Sequence, residues 1–297
     1  MLVDPIIAIL LTGALVGISG ALLGSFLVLR GNSMLADAIS HSILFGIAAA
    51  WLMTGQTSGP LQIIGAALSG VLAVFLIELL TRTRRLRDDA AIGLVFPALF
   101  SAGVVLINVF ARDVHLDEHT VLLGEIGFVW LDSVMFAGIE WPRAMLAMTL
   151  MLAIDGVFVL AFYKALKLAT FDPDSARILG LMPGLIFYAH LSLLSGTAVA
   201  AFDAVGVVLF IAFVVVPPAA AYLVTRRLVS MIALAMLIAA VSAPIGYWAA
   251  VWLDVSIGGM MALATGGFLL LAYIWRRCRD GHQRRINGVQ APPSSSA

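Results

Sequence analysis

Apolar runs of about 20 residues recur from one end of this chain to the other, separated by short polar stretches. A run of that length, coiled as a helix, crosses a hydrocarbon layer about 30 Å thick. Inside that layer every backbone N–H and C=O must find its partner within the segment or in a closed barrel. The runs are continuous rather than alternating, which excludes the barrel. The composition agrees: 62% of the residues are hydrophobic and 11% are charged, where a soluble domain carries about 25% charged residues. The expected fold class is an all-α polytopic membrane protein with about 8–9 transmembrane helices. One transmembrane domain covers residues 1–275, and residues 276–297 form a basic, Pro/Ser-rich tail that reads as disordered. No Lys or Arg precedes the first run, so it reads as a retained span and not as a cleaved leader.

The spans are expected at residues 6–29, 34–53, 61–80, 90–110, 145–164, 182–200, 205–224, 228–252 and 258–275. The first contains Gly13, Gly17, Gly20 and Gly24, a stripe of small residues that lets helices approach closely in lipid. The segment 111–140 does not fit a span, because Glu125 and Asp132 interrupt its apolar part. It reads as an external segment, interfacial or re-entrant. In an alternating nine-span arrangement fifteen Lys and Arg residues fall on one side, and only Arg112 and Arg143 fall on the other. The excess marks the cytoplasmic face, which puts the N-terminus outside and the C-terminus in the cytoplasm.

The second span carries the chemistry. Asp37 and His41 lie four residues apart in an otherwise apolar stretch, one helical turn apart on one face. A charged side chain in the membrane costs about 2.5–3.5 kcal/mol on insertion scales, so the carboxylate must face protein, water or a cation. A carboxylate oxygen beside an imidazole nitrogen begins a divalent transition-metal site. The same pair could also simply satisfy itself inside a bundle. Asp155 and His190 are the other polar residues within spans, each able to line a path or to serve packing. Glu78 reads as the partner of a nearby arginine. The external residues His115, Asp117, Glu118, His119 and Glu125 could attract or ligate cations, or simply be solvated.

What is missing narrows the function. The phosphate-binding pattern G-x-x-x-x-G-K-[ST] is absent, and Lys164 and Lys167 are the only lysines, so the chain does not bind ATP in that manner. The H-E-x-x-H and G-x-S-x-G patterns are absent too. A lone cysteine, Cys278, supports neither a disulfide nor a thiolate site. The zero net charge gives no reason to expect a nucleic acid or another polyanion. Two further classes remain for comparison: a self-sufficient secondary transporter or channel, which inverted repeats would favour, and an intramembrane enzyme, for which no nucleophile and base stand out.

Several stretches together resemble a known family. Gly24–Arg30 followed by Leu35-Ala36-Asp37-Ala38-Ile39-Ser40-His41-Ser42 is similar to the signature of the permease subunits of bacterial ABC importers for manganese, zinc and iron. Val114-His115-Leu116-Asp117 with Val121–Ile126, Lys167–Ala176 with Leu179-Gly180, and Val205–Leu209 through Val216–Ala221 resemble the external segment, central cytoplasmic loop and late helix of that family. The resemblance covers about residues 10–275. It implies a metal-importer ABC permease bundle, itself not an enzyme, in the bacterial cytoplasmic (inner) membrane. ATP hydrolysis falls to a separate cytoplasmic ATP-binding subunit, and metal arrives on an extracytoplasmic metal-binding protein. It further implies that Asp37 and His41 ligate the transported ion, and that a second permease copy or paralogue brings a second pair. Mn2+ is expected as cargo, with Zn2+ or Fe2+ as alternatives, and no cofactor is held permanently. His115, Asp117, His119 and Glu125 are expected to contact metal or the binding protein. Two stretches qualify for coupling to the ATPase: the loop with Asp172, Pro173 and Arg177, and the preferred stretch with Pro217, Pro218, Arg226 and Arg227.

Overall fold

The computed structural model describes residues 3–55, 60–110, 125–136 and 138–289. Among them are nine α-helices: α1 (Pro5–Leu29), α2 (Met34–Thr54), α3 (Pro60–Arg82), α4 (Asp88–Phe110), α5 (Arg143–Phe171), α6 (Pro173–Ile178), α7 (Pro183–Val224), α8 (Leu228–Leu253) and α9 (Ile257–Val289). Eight of them, all but α6, are long and apolar enough to cross a membrane. The starts and stops are local chemistry. Asp4 accepts a hydrogen bond from the N–H of Ile6 at 2.8 Å, and Pro5 takes the first position of α1, where its missing N–H costs nothing. Gly55 closes α2 with φ +67°, the left-handed conformation that glycine adopts freely.

The 42-residue α7 is two antiparallel arms joined at Gly206, whose φ of 74° and ψ of 170° are not helical. A straight helix of that length would reach about 63 Å, twice the hydrocarbon thickness. Instead both ends of α7 lie on one face. Pro183 and Phe187 share a cavity with Arg30 and Pro173, while Tyr222 and Leu223 share another with Leu29 and Phe171. Asp203, near the bend, lies in the field of Asp132 and Arg143 at the opposite face. The sequence expectation of separate spans over 182–200 and 205–224 is therefore realised as one hairpin within α7.

α1 runs through the centre of the bundle, packed by α5, α7 and α8. Its glycine stripe makes that possible: a Cβ on Gly17 would lie 3.1 Å from the Cβ of Ala239 in α8, and one on Gly20 would lie 3.2 Å from Cγ2 of Val214 in the second arm of α7. Phe26, Phe210 and Phe213 fill the core between these helices. α2 packs on α3 and α4 as a second group, with Gly46 against the backbone of Gly65 and Gly103 against the backbone of Phe45.

The last span, expected over 258–275, lies within α9, which runs to Val289, with the first proline beyond it at Pro292. Residues 125–136 and 138–142 hold a 3-10 turn (Ile126–Phe128) and an antiparallel pair, β1 (Ser133–Phe136) and β2 (Ile139–Pro142), with Gly138 at φ +80° between them. Ile126 of the 3-10 turn is buried and reaches Gly13 of α1, which anchors this turn to the bundle.

Candidate metal site in the second helix

α2 begins just after the Arg30-Gly31-Asn32 turn, where Gly31 adopts φ +72°. At 1.5 Å per residue, Asp37 and His41 stand about 5 and 10 Å up the helix from Met34. The pair therefore stands close to the face that carries most of the arginines. His41 Nε2 lies 3.4 Å from Asp37 Oδ1. Two donors bound at about 2.0–2.2 Å to one divalent ion, on neighbouring vertices, stand roughly 3–3.5 Å apart, so the pair already has the spacing of two ligands. His41 and Asp37 remain 35% and 34% exposed. The imidazole is held from one side by α4: Phe96 stacks on it with centroids 5.6 Å apart, and Phe100 meets it edge-on at 6.0 Å. Ring contacts fix the imidazole plane without occupying its nitrogens. No third His, Cys, Asp or Glu joins the pair among the described residues.

The other polar residues of the spans divide differently. Asp155 of α5 is buried and accepts hydrogen bonds from the hydroxyls of Ser19 in α1 and Thr197 in α7, the latter at 3.1 Å to each oxygen. It ties three helices together away from Asp37. His190 is buried in the first arm of α7, edge-on to Phe26 at 5.6 Å. Glu78 pairs with Arg82 at 2.7 Å, as its position in the sequence implied. His115, Asp117, Glu118 and His119 lie outside the described residues, and Glu125 is exposed at the start of the 3-10 turn.

The two stretches considered for coupling lie at the same face but differ in form. Pro173 opens α6, a separate short helix capped by Asp172, whose carboxylate accepts from the N–H of Ser175 at 3.0 Å and from the Ser175 hydroxyl at 2.5 Å. Those bonds hold the Asp172 carboxyl below the usual carboxylate range. Arg177 pairs with Asp174 at 2.7 Å. Pro217 and Pro218, by contrast, are buried inside α7, and only the turn Thr225-Arg226-Arg227 projects between α7 and α8.

The chain matches the family model described as the ABC 3 transport family over residues 3–276. It belongs to that family. It is 46% identical over 268 residues to the manganese transport system membrane protein MntD of Bacillus subtilis, covering 90% of each chain. It is 42% identical to the zinc transport system membrane protein TroD of Treponema pallidum, covering 91% of this chain and 76% of that one. Its structure is similar to that of PsaBC from Streptococcus pneumoniae in complex with Fab, with a TM-score of 0.73 and 28% identity over 90% of both chains. This member of the ABC 3 family is thus a multi-pass transport permease, and the sequence resemblance is confirmed along nearly the whole chain. Membership in an ABC family also sets aside the secondary transporter and the intramembrane enzyme. The sequence singles out Asp37 and His41 as candidates but not Phe96 and Phe100, whose contact with the imidazole depends on how α4 packs on α2.

Proposed function

We propose that this permease carries a divalent transition metal, manganese foremost, through a transient site built from Asp37 and His41. The observation that carries the reading is the 3.4 Å approach of two half-open donors with no third ligand beside them among the described residues. Two donors leave most of the coordination shell to water or to another protein, which suits an ion that must also leave. A second copy or a paralogue, set against the open side of α2, would add a second pair. Between the metals the donor set discriminates weakly, since carboxylate favours harder ions and imidazole suits zinc and iron as well; the similarity to MntD supports manganese.

The family supports a fuller assembly in this proposal. A separate cytoplasmic ATPase drives the cycle, and an extracytoplasmic binding protein delivers metal toward the His115–Glu125 segment; the excess of Lys and Arg on the other side supports that orientation in the bacterial cytoplasmic membrane. For coupling we favour α6 over the stretch around Pro217. α6 is a discrete capped element, with Phe171, Ile178, Leu179 and Met182 all exposed around it, which suits an apolar socket on a partner.

The test is paired, on the same membranes: metal uptake and yield of the permease–ATPase complex for His41→Ala and Asp37→Asn. Both variants should lose uptake of Mn2+ while the complex assembles and hydrolyses ATP at its basal rate. Because ligands bind metal deprotonated, wild-type uptake should also fall on acidification. Loss of the complex along with uptake would make the pair structural.

A further inference from the structure

One side chain ties the turn ahead of α2 to the last turn of α5. Arg30 caps α1: its N–H donates to the Phe26 carbonyl at 3.2 Å, and the N–H groups of Gly31 and Asn32 donate to the carbonyls of Val28 and Leu27 at 3.1 and 3.0 Å. The Asn32 carbonyl accepts from the N–H of Leu35 in α2 at 3.0 Å. This closed turn fixes the Arg30 backbone to the base of the helix that carries Asp37 and His41. The guanidinium reaches away from the turn. Its Nη2 donates to the Ala169 carbonyl of α5 at 2.7 Å, and the group lies 4.0 Å over the Phe187 ring of α7. Ala169 is buried, three residues before the Asp172 cap of α6. No Asp or Glu pairs with Arg30 among the described residues.

A guanidinium is planar, carries its donors in a fixed fork and stacks on aromatic faces. Arg30 uses both properties at once, on a backbone oxygen of one helix and a ring of another. The neighbours of α6 and α2 explain why that matters. α6 packs against α5 and α7, while α2 packs against α3, α4 and α7. A cavity of about 310 Å3 opens between the Arg30–Leu35 stretch and the residues Pro173 and Arg177 of α6. Arg30 spans the two sides: its backbone belongs to the turn ahead of α2, and its head to the end of α5 and to α7.

We infer that Arg30 is a positioning residue that links α6 to the Asp37–His41 pair. The inference rests on the reading of α6 as the element that meets the ATPase. A shift of α6 moves the end of α5 and the start of α7, the two elements that the guanidinium grips. The α1–α2 turn follows through Arg30, and with it the base of α2. Tilting α2 there turns both donors together, because they share one face of the helix. An arginine that only held the fold together would leave the ratio of transport to ATP hydrolysis untouched. A linking arginine sets that ratio.

The test uses the permease–ATPase complex in proteoliposomes, supplied with its Mn2+-loaded binding protein. It reads Mn2+ ions imported per ATP hydrolysed, together with complex yield. Arg30→Met keeps the long apolar stem and removes the fork. It should leave basal ATP hydrolysis near wild type and lower the ions per ATP about tenfold, within the roughly 5–150-fold range of coupling between sites. Arg30→Lys keeps the charge and a donor for Ala169 without the stacking plane, and should recover part of the ratio. Phe187→Leu removes the ring and leaves the Ala169 bond. It should lower the ratio less than Arg30→Met, and it decides the matter if Arg30→Met yields no complex. An unchanged ratio overturns the proposal, and a lower complex yield with an unchanged ratio makes Arg30 structural and overturns it too. Crosslinking of a cysteine at Ile178 to the ATPase reads the α6 contact separately. If that crosslink forms and the ratio is unchanged, the Arg30 link alone fails. If the wild-type background gives no such crosslink, the α6 reading fails and the Arg30 link with it.

Discussion

Gly24 meets the backbone of Val214 so closely that a methyl group on Gly24 would overlap the Val214 carbonyl oxygen. One residue belongs to the central helix α1, the other to the returning arm of the α7 hairpin. Four residues earlier, a methyl on Gly20 would stand 3.2 Å from a Val214 side-chain carbon, which has some freedom to move. Gly24→Ala should therefore destabilise the permease by about 3 kcal/mol or more, at or beyond the upper end of overpacking in cores, and Gly20→Ala by about 1 kcal/mol or less. Thermal midpoints of the two purified complexes check this. Equal midpoints would mean that the helices are not pressed together at Gly24.

Much of that packing was readable from residue spacing alone. The small-residue stripe in α1 announced a close approach, and most span ends fell within a few residues of the helix ends, because a bilayer requires long unbroken apolar runs. Asp37 and His41 stood out for the same reason: a charge in such a run needs an explanation. What spacing cannot give is which distant segments meet. Arg30 gathers Ala169 with Phe187, and the Asp155 cluster gathers Ser19 with Thr197. Neither pairing leaves a local signal. The α7 hairpin was half visible, since two spans with almost no loop between them imply a sharp reversal, but the single-residue bend at Gly206 is a backbone property that sequence patterning does not encode.

That bend fixes the topology. With Gly206 at φ 74° and ψ 170°, a conformation essentially confined to glycine, both arms return to one face. In a Cys278→Ser background, a cysteine at Asp203 should react with a membrane-impermeant maleimide added to intact cells, and a cysteine at Thr225 only after permeabilisation. Labelling of both from outside would refute the nine-span arrangement. Gly206→Ala should cost about 1–3 kcal/mol in stability for the strained backbone.

Asp155 should behave unlike Asp37. Its carboxylate takes hydroxyl hydrogen bonds from two other helices, so Asp155→Ala takes that partner from the buried Ser19 hydroxyl, while Thr197 keeps its bond to the Leu193 carbonyl. Leaving buried polar groups unsatisfied costs about 1–3 kcal/mol. The thermal midpoint and yield should fall, while uptake per folded complex stays near wild type. A fall in uptake per complex with an unchanged midpoint would put Asp155 on the ion path.

Acid should separate the proposed metal site from α6. The Asp172 carboxyl is held below the ordinary carboxylate range by the Ser175 hydroxyl and N–H. A group with a lowered folded pKa stabilises through its anion. That contribution is complete above the unfolded value, near 3.9, and is lost only as pH falls through the still lower folded one. Between about pH 5 and 8 the α6 cap is therefore constant. A cysteine at Ile178 should crosslink to the ATPase with the same yield across that range, and more readily than one at Arg226, while metal uptake declines toward the acid end. Asp172→Asn keeps an oxygen that can cap the helix and should preserve both the crosslink and metal-stimulated ATP hydrolysis. Asp172→Ala should weaken both several-fold. If crosslinks form from Arg226 and not from Ile178, coupling belongs to the α7–α8 turn, and α6 is only a connector.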